Sequence, residues 1–314
     1  MLNRREFLKQ IATAGAGLGL IGLTPVLSYG NRRPSSKIIT IMHTNDTHAR
    51  IDPFPMGAGR FEGLGGAARR AALIKKIREQ QPNNLLLDAG DTFQGTPYFN
   101  FYGGALDFEL MSMMGYDAST IGNHEFDNRV EGFVEVAPKA NFPFVISNYD
   151  FSGAPEMGVF TRELMIKDVD GVRIGIFGLG IAFDGLVLPG LHEGVRHIRP
   201  QLVARQLVRR LRVDYGCDMI ICLSHLGLEY SSYRPSDMVI ANEVDGIDLI
   251  IGGHTHTLLD EPRIVEKPSG RPTVISQVGH AGVVLGRLDF EFDRTNRIRR
   301  VLVANQQLNP ELDD

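Results

Sequence analysis

The chain lacks several features that would place it in common protein classes. It has only two cysteines, Cys217 and Cys222, among 314 residues. Five residues of extended chain would separate them by about 16 Å, too far for a disulfide, so we expect both thiols to be free. Positive charge is not in excess, since the formal net charge is −4, and the sequence therefore predicts no nucleic-acid partner. No internal repeat or low-complexity linker divides the chain.

Apolar runs alternate with amphipathic stretches along most of the sequence. Hydrophobic residues make up 43% of the chain, enough for one large core. The pattern predicts helices at 64–80, 104–115, 130–140 and 199–213. It predicts strands at 37–42, 84–88, 118–121, 143–148, 172–178, 218–224, 247–252, 273–277 and 283–292. Strands that alternate with helices favour an α/β fold, and turns such as DVDG add antiparallel hairpins.

Five short segments close predicted strands with side chains that bind metals. They read HTNDTH at 43–48, DAGDTFQGTP at 88–97, GNHEFD at 122–127, SHLG at 224–227 and GGHTH at 252–256. One such segment alone would indicate a turn or a hydrogen-bonded core histidine. Five in this order, each after an apolar strand, indicate one shared site at the strand ends. The candidate residues are Asp46, His48, Asp91, Asn123, His124, His225, His254 and His256.

This set of donors suits two adjacent divalent metal ions. Two ions about 3.5–4 Å apart can hold a shared water as hydroxide and stabilise the attacking and leaving oxygens of a displacement at phosphorus. Asp91 suits the bridging carboxylate, because the strand NNLLLDAG delivers it to a loop opened by Gly90. Asp46 and His48 are two residues apart, so an extended backbone would point both to one face. Nitrogen and oxygen donors without thiolate suit Mn²⁺, Zn²⁺, Fe or Co²⁺.

The segments resemble the signatures of the calcineurin-like metallophosphoesterases, and more specifically the metal-binding domain of the 5′-nucleotidase branch. HTNDTH resembles the opening signature of that branch, DAGDTFQGTP the second and GNHEFD the third, and the similarity runs from about Lys37 to about Leu288. The resemblance implies a four-layer α/β/β/α sandwich with two facing mixed sheets and a dinuclear metal site at the carboxyl ends of the strands. It implies one ligand set of Asp46, His48, Asp91 and His256, and a second of Asp91, Asn123, His225 and His254.

The resemblance also places a catalytic pair at His124 and Asp127. The sequence supports this pair independently, because the two residues are three apart in a loop that leads into a helix, where the carboxylate can orient and charge the imidazole. A positive histidine beside the metals stabilises developing negative charge or protonates the leaving alkoxide. We interpret His43 as structural and place His280 near the rim of the site.

These residues imply a metal-dependent phosphoester hydrolase, most closely a 5′-nucleotidase-like phosphomonoesterase. A cyclic-nucleotide phosphodiesterase, a nucleotide-sugar hydrolase and a thiosulfohydrolase-like enzyme stay open, and a metal-loaded binding subunit is the alternative that is not an enzyme. Members of the branch commonly carry a C-terminal domain that holds the nucleobase between aromatic rings and supplies arginines to the phosphate. We expect either a separately encoded domain of that type as a partner, or action by this chain alone on small phosphate esters.

The first thirty residues predict export. NRREFLKQ supplies paired arginines, and an apolar stretch of 17 residues with four glycines follows, so the segment resembles a twin-arginine signal. The glycines argue against a stable membrane span of about 20 residues. Ser28 and Gly30 have the spacing that a signal peptidase needs. We predict a signal peptide at 1–30, a periplasmic location and one catalytic domain at 31–314, with an uncleaved membrane anchor as the alternative.

Overall fold

A computed structural model describes the backbone of residues 24–28 and all of residues 37–312. Apart from the strand Thr24–Ser28, which pairs antiparallel with Ile298–Val303, the predicted signal peptide lies outside the described residues. Within the described part of the chain, no helix is both long enough and apolar enough to cross a membrane.

Strands and helices alternate through most of the described chain. The strands are β1 (Thr24–Ser28), β2 (Lys37–Thr44), β3 (Asn84–Asp88), β4 (Ala118–Ser119), β5 (Phe144–Val145), β6 (Tyr149–Asp150), β7 (Thr161–Arg162), β8 (Leu164–Val169), β9 (Val172–Gly180), β10 (Arg196–His197), β11 (Met219–His225), β12 (Leu249–Gly252), β13 (Arg263–Val265), β14 (Thr273–Ser276), β15 (Val284–Phe292), β16 (Ile298–Val303) and β17 (Gln306–Gln307). The helices are α1 (Ala67–Gln80), α2 (Pro97–Tyr102), α3 (Ala105–Met114), α4 (Arg129–Val136), α5 (Pro155–Gly158), α6 (Pro200–Arg209) and α7 (Asp237–Glu243).

Two mixed sheets form the centre of the fold. The larger has nine strands in the order β1-β16-β15-β2-β3-β4-β5-β7, with β17 beside β15, and the smaller has six in the order β13-β14-β12-β11-β9-β8. In the larger sheet β2, β3, β4 and β5 run parallel. In the smaller sheet β9, β11, β12 and β14 run parallel. The carboxyl ends of parallel strands lie at one edge of a sheet, so each sheet has one edge where its loops gather.

The alternation of side chains along each strand divides the core into three. In β11, Ile221 and Leu223 lie in the core between the two sheets, whereas Ile220 and Cys222 pack with α6 and α7. Leu86 of β3 packs with α1, α3 and α4 on the outer face of the larger sheet. Because successive side chains of a strand point to opposite faces, both sheets bury both faces. The fold is therefore the four-layer α/β/β/α sandwich that the resemblance implied.

Most predicted elements are present. The antiparallel hairpins expected at the turns are β8–β9 and β15–β16. No bounds were predicted for β8 and β16, whose side chains are mostly half-buried and so give no continuous apolar signal. The short β13 and α7 were not predicted, and the strand expected at 143–148 is shortened to β5, with β6 following outside that range. Both cysteines are buried and free, as predicted.

Candidate metal centre

The loops that carry the candidate ligands meet where the two sheets present their carboxyl edges. Asp46, Asp91 and Asn123 follow β2, β3 and β4 of the larger sheet, while His225 is the last residue of β11 in the smaller sheet. Two further histidines, at 254 and 256, follow β12. The side chains of both sheets therefore reach one place, although they come from distant parts of the sequence.

One group of possible ligands consists of Asp46, His48 and His256, whose ligand atoms all lie within 4.8 Å of one another. The Nε2 atoms of the two histidines are 3.0 Å apart, and Nε2 of His256 is 3.3 Å from Oδ1 of Asp46. Two neutral imidazoles that face each other in this way can share at most one proton. A cation between them would satisfy both nitrogens and the carboxylate.

A second group consists of Asp91, His225 and His254, again within 4.8 Å. Nε2 of His225 lies 2.9 Å from Oδ2 of Asp91 and 4.0 Å from Oδ1 of Asp46, so this histidine adjoins both groups. Nδ1 of His254 is 2.9 Å from Oδ1 of Asn123. The structure thus brings together all seven predicted ligands. It groups Asp91 with the second set, and the bridging role stays a prediction.

Backbone carbonyls hold two of these histidines in the tautomer that binds metals. Nδ1 of His225 lies 2.7 Å from the carbonyl oxygen of Ala89, and Nδ1 of His48 lies 3.0 Å from that of Phe93. A proton on Nδ1 leaves the lone pair on Nε2, which is the arrangement found around metal-binding histidines. Nε2 of His225 is fully buried and lies 2.9 Å from Oδ2 of Asp91, another candidate ligand. The donor set therefore fits divalent ions.

Five of the candidate ligands have left-handed backbone conformations. Their φ angles are 50° at Asp46, 50° at His48, 55° at Asp91, 70° at His254 and 52° at His256. Residues with a Cβ rarely adopt this conformation, and where they do, the strain concentrates at active sites and ligand clamps. The extended backbone expected between Asp46 and His48 is therefore wrong. The two side chains converge through consecutive tight turns.

His124 and Asp127 form a hydrogen-bonded pair beside the first group. Nδ1 of His124 is 2.7 Å from Oδ2 of Asp127, and the rings of His124 and His48 are 5.2 Å apart. Burial would lower the pKa of His124, but the bond to Asp127 and the negative charge of Asp91 raise it to about 9. Cations bound nearby would oppose this rise. The imidazole is thus placed to hold a proton at the edge of the centre.

The loop before His124 approaches Asp91 closely. The backbone N–H of His124 donates to Oδ1 of Asp91 over 2.8 Å. A methyl group on Gly122 would collide with that same oxygen. Only glycine therefore allows the GNHEFD loop to pack against this carboxylate.

Glu125 is a functional residue that was not predicted from the sequence. Its buried carboxylate accepts the backbone N–H groups of Asp91, Thr92 and Gly122 over 3.0, 2.7 and 2.6 Å, and the Thr92 hydroxyl over 2.8 Å. It therefore ties the second and third motifs together. The sequence offered one indication of this role, because Glu125 lies inside GNHEFD among the predicted site residues.

Asn45, which was not predicted either, orients Asp46. Its side-chain amide donates to Oδ2 of Asp46 and to the carbonyl of Gly279, both over 2.6 Å, and its oxygen accepts the N–H of Val278 over 3.0 Å. Asp46 also accepts the backbone N–H of His254 over 3.0 Å. These bonds connect a loop of the larger sheet to loops of the smaller one.

The two spare histidines occupy different settings. His43 is fully buried, and its Nε2 lies 2.9 Å from the hydroxyl of Ser276. Burial lowers the pKa of His43 to about 3, so it is a neutral core residue. His280 stacks on His256, with ring centroids 4.7 Å apart and planes 10° from parallel. Burial lowers the pKa of His280, and the neighbouring charges of His256 and His48 lower it further.

Comparisons with known proteins agree with this architecture. The family model described as calcineurin-like phosphoesterase matches residues 39–258. The trifunctional nucleotide phosphoesterase protein YfkN of Bacillus subtilis is 34% identical over 286 residues, covering 81% of this chain and 18% of that protein. The 5′-nucleotidase of Rattus norvegicus is 34% identical over 280 residues, covering 81% of this chain and 46% of that protein.

A solved structure shows a similar fold at comparable identity. The 5′-nucleotidase precursor from Thermus thermophilus matches with a TM-score of 0.78 and 32% identity, over 88% of this chain and 55% of that one. The chain spans about half or less of the length of each of these relatives. The family model, in contrast, covers most of the described residues. The chain therefore belongs to the calcineurin-like phosphoesterase family.

Proposed function

We propose that the chain is a metal-dependent phosphoester hydrolase of the 5′-nucleotidase type, which acts on 5′-nucleotides or related phosphomonoesters. The observation that carries this proposal is the adjacency of three features: two ligand groups, each within 4.8 Å, and the hydrogen-bonded pair of His124 and Asp127. The nucleotide substrate is supported by the names of the relatives, which include 5′-nucleotidases and a nucleotide phosphoesterase.

Two divalent ions, from the set Mn²⁺, Zn²⁺, Fe and Co²⁺, are the proposed cofactors. The proposed ligand sets share Asp91 and are Asp46, His48, Asp91 and His256 for one ion, and Asp91, Asn123, His225 and His254 for the other. When bound, such ions activate water for attack and stabilise the charge that develops on the phosphoryl group. Nε2 of His225 lies 2.9 Å from Oδ2 of Asp91 and 4.0 Å from Oδ1 of Asp46, which supports the adjacency of the two sets.

His124 is the proposed proton donor. The bond between its Nδ1 and Asp127 fixes the ring and stabilises its charge, which leaves Nε2 available to the substrate. An imidazolium at this position can donate its proton to the leaving oxygen or stabilise negative charge on the phosphoryl oxygens. The contact between the His124 and His48 rings supports this placement.

We further propose that residues 31–314 are the catalytic domain, that residues 1–30 direct export, and that the protein works in the periplasm. The paired arginines and the glycine-rich apolar stretch support export. The matched part of the Rattus norvegicus 5′-nucleotidase is 46% of its length, which supports a further domain of the C-terminal 5′-nucleotidase type as the proposed partner. The alternative is that this chain recognises its substrate alone.

The test is hydrolysis of AMP, an aryl phosphomonoester and an aryl phosphodiester after reconstitution with Mn²⁺ or Zn²⁺. We expect metal-dependent release of phosphate from AMP, reduced about 10²- to 10⁴-fold in His124→Ala. The control is His197→Ala, a histidine outside the candidate centre, which should retain activity. Hydrolysis of the diester alone would replace this proposal with a phosphodiesterase. Two bound metals without any hydrolysis would replace it with a binding subunit.

A further inference from the structure

Aromatic contacts extend outward from the candidate metal centre to an exposed loop. The ring of His280 stacks on His256 at 4.7 Å, and the ring of Phe61 meets His280 edge-on at 5.3 Å and 88°. Phe61 belongs to residues 54–64, which we call the rim loop. Two ring contacts therefore connect the rim loop to a candidate metal ligand.

The rim loop is held in place at its base. The N–H of Phe54 donates to the carbonyl of Leu64 over 2.8 Å, and the N–H of Gly63 donates to the carbonyl of Phe54 over 3.0 Å. Phe54 also stacks on Phe61, with centroids 5.1 Å apart and planes 24° from parallel. The two phenylalanines pack on a small apolar cluster that includes Val283. Phe61 is thus presented by a closed loop on a fixed support.

The rim loop also brings a positive charge to this place. The guanidinium of Arg60 lies over the Phe61 ring, 4.6 Å from its centroid. Arg60 is exposed, and none of the ion pairs among the described residues includes it. Guanidinium and aromatic groups both stack on planar rings such as nucleobases. A positive charge beside the centre also attracts anionic substrates.

We propose that Arg60 and Phe61, joined to the metal centre through His280, form a subsite for the leaving group of the substrate. The subsite selects phosphomonoesters whose leaving group carries a planar aromatic ring, such as the base of a nucleoside. The inference rests on the proposed function, because it places the phosphate at the metal centre beside His256. A substrate whose ring is attached through a sugar can then reach from that centre to the rim loop.

Stacking makes a specific prediction about selectivity. Every base has a flat face, so stacking tolerates different bases and discriminates against leaving groups without a ring. This subsite would supply recognition within this chain, independently of any partner domain. Purine and pyrimidine 5′-monophosphates should therefore be used at comparable rates, and an aliphatic ester such as glycerol phosphate should be used with a higher KM.

The first experiment compares AMP with glycerol phosphate in Arg60→Gln and Phe61→Leu. Leucine keeps apolar contact with the support, so the loop is retained while the flat ring is lost. We expect each variant to lose about tenfold in kcat/KM for AMP, through KM, because each removes a flat group on which the base stacks; a tenfold loss corresponds to about 1.4 kcal/mol. Glycerol phosphate kinetics should not change in Phe61→Leu. In Arg60→Gln they should weaken less than AMP kinetics, because only the attraction of the charge is lost. Arg294→Gln, in the distant turn between β15 and β16, is the matched control.

The second experiment measures binding without turnover. The affinity of AMP for metal-loaded His124→Ala is determined by calorimetry, with and without Phe61→Leu. A tenfold weaker affinity for AMP, with unchanged affinity for glycerol phosphate, is the expected result. Unchanged affinity for AMP, or equal losses for both ligands, would overturn the subsite. If the unmodified chain hydrolyses neither ester, the proposed function fails, and this binding measurement still decides the subsite separately.

Discussion

Replacing Glu125 tests whether its carboxylate holds the centre together. In Glu125→Gln the side chain keeps its shape, but one carboxylate oxygen becomes an NH₂ group. Oε2 accepts from the N–H groups of Asp91 and Gly122, and Oε1 accepts from the N–H and hydroxyl of Thr92. With the NH₂ group in place of Oε1, the Thr92 hydroxyl can rotate to accept from it, so only the backbone N–H of Thr92 faces a donor. One hydrogen bond is lost in this more favourable orientation, and that N–H stays buried without a partner.

The expected cost follows from these bonds. A hydrogen bond to a charged group contributes about 1.5–3 kcal/mol, so the loss of one predicts a decrease of about 1.5–3 kcal/mol in the free energy of unfolding. Burial raises the pKa of Glu125, so the charged form of this carboxylate is less favoured. We therefore expect a decrease in the free energy of unfolding near the lower end of this range. In a domain of this size, such a loss lowers Tm by roughly 3–12 °C. The affinity for metal should fall about 10- to 100-fold, because Glu125 positions the loops that carry ligands.

The assay is urea and thermal unfolding in the presence of a chelator, followed by titration with Mn²⁺. The chelator separates the effect on the fold from the effect on the ions. Glu135→Gln, which changes an exposed acid on α4, is the control and should alter stability by less than about 0.5 kcal/mol. A Glu125→Gln protein with unchanged Tm and metal affinity would refute the reasoning.

Three further predictions concern pH, metal and backbone. Burial raises the pKa of Asp237 to about 8, and the hydrogen bond from Ser224 only partly offsets this rise. The free energy of unfolding should therefore decline as pH rises from about 4 to 8. Urea unfolding measured across this pH range should show a flatter decline in Asp237→Asn. Removal of metal by a chelator should lower Tm, because metal at 100 times its Kd adds about 2.7 kcal/mol to the free energy of unfolding. An unchanged melting curve would contradict the candidate centre. Gly122→Ala should weaken metal affinity about tenfold or more in calorimetry, because its methyl group meets Asp91; unchanged affinity would show that the loop has room.

The strand-end motifs were sufficient to predict which side chains gather. Asp91 follows β3 by three residues and His225 ends β11, and parallel strands bring such positions to one edge. The roles of these side chains as ligands stay predictions, because proximity alone does not show a bound ion. The structure adds that all seven predicted ligands fall into or beside two compact groups.

Predictions from the local sequence were wrong where the backbone is neither helical nor extended. Asp46 and His48 were expected to share a face of an extended segment, but both have left-handed conformations. Residue preference alone does not predict this, since aspartate and histidine are enriched at positive φ but adopt it in only a minority of cases. The contacts around the loop determine it, including the bond from the His254 N–H to Asp46. Glu125 was not predicted for a related reason, because the partners in three of its four hydrogen bonds lie more than thirty positions away in the chain.

The sequence by itself determined the α/β class, the family and the candidate ligands, because hydrophobic periodicity and short motifs are local properties. Only the tertiary structure decided that His225 and His254 from the smaller sheet face Asp46 and Asp91 from the larger one. That arrangement depends on two sheets packing face to face through a shared core, which no local pattern records. The placement of Phe61 beside His280 was decided in the same way, since packing brings together residues that are far apart in the chain.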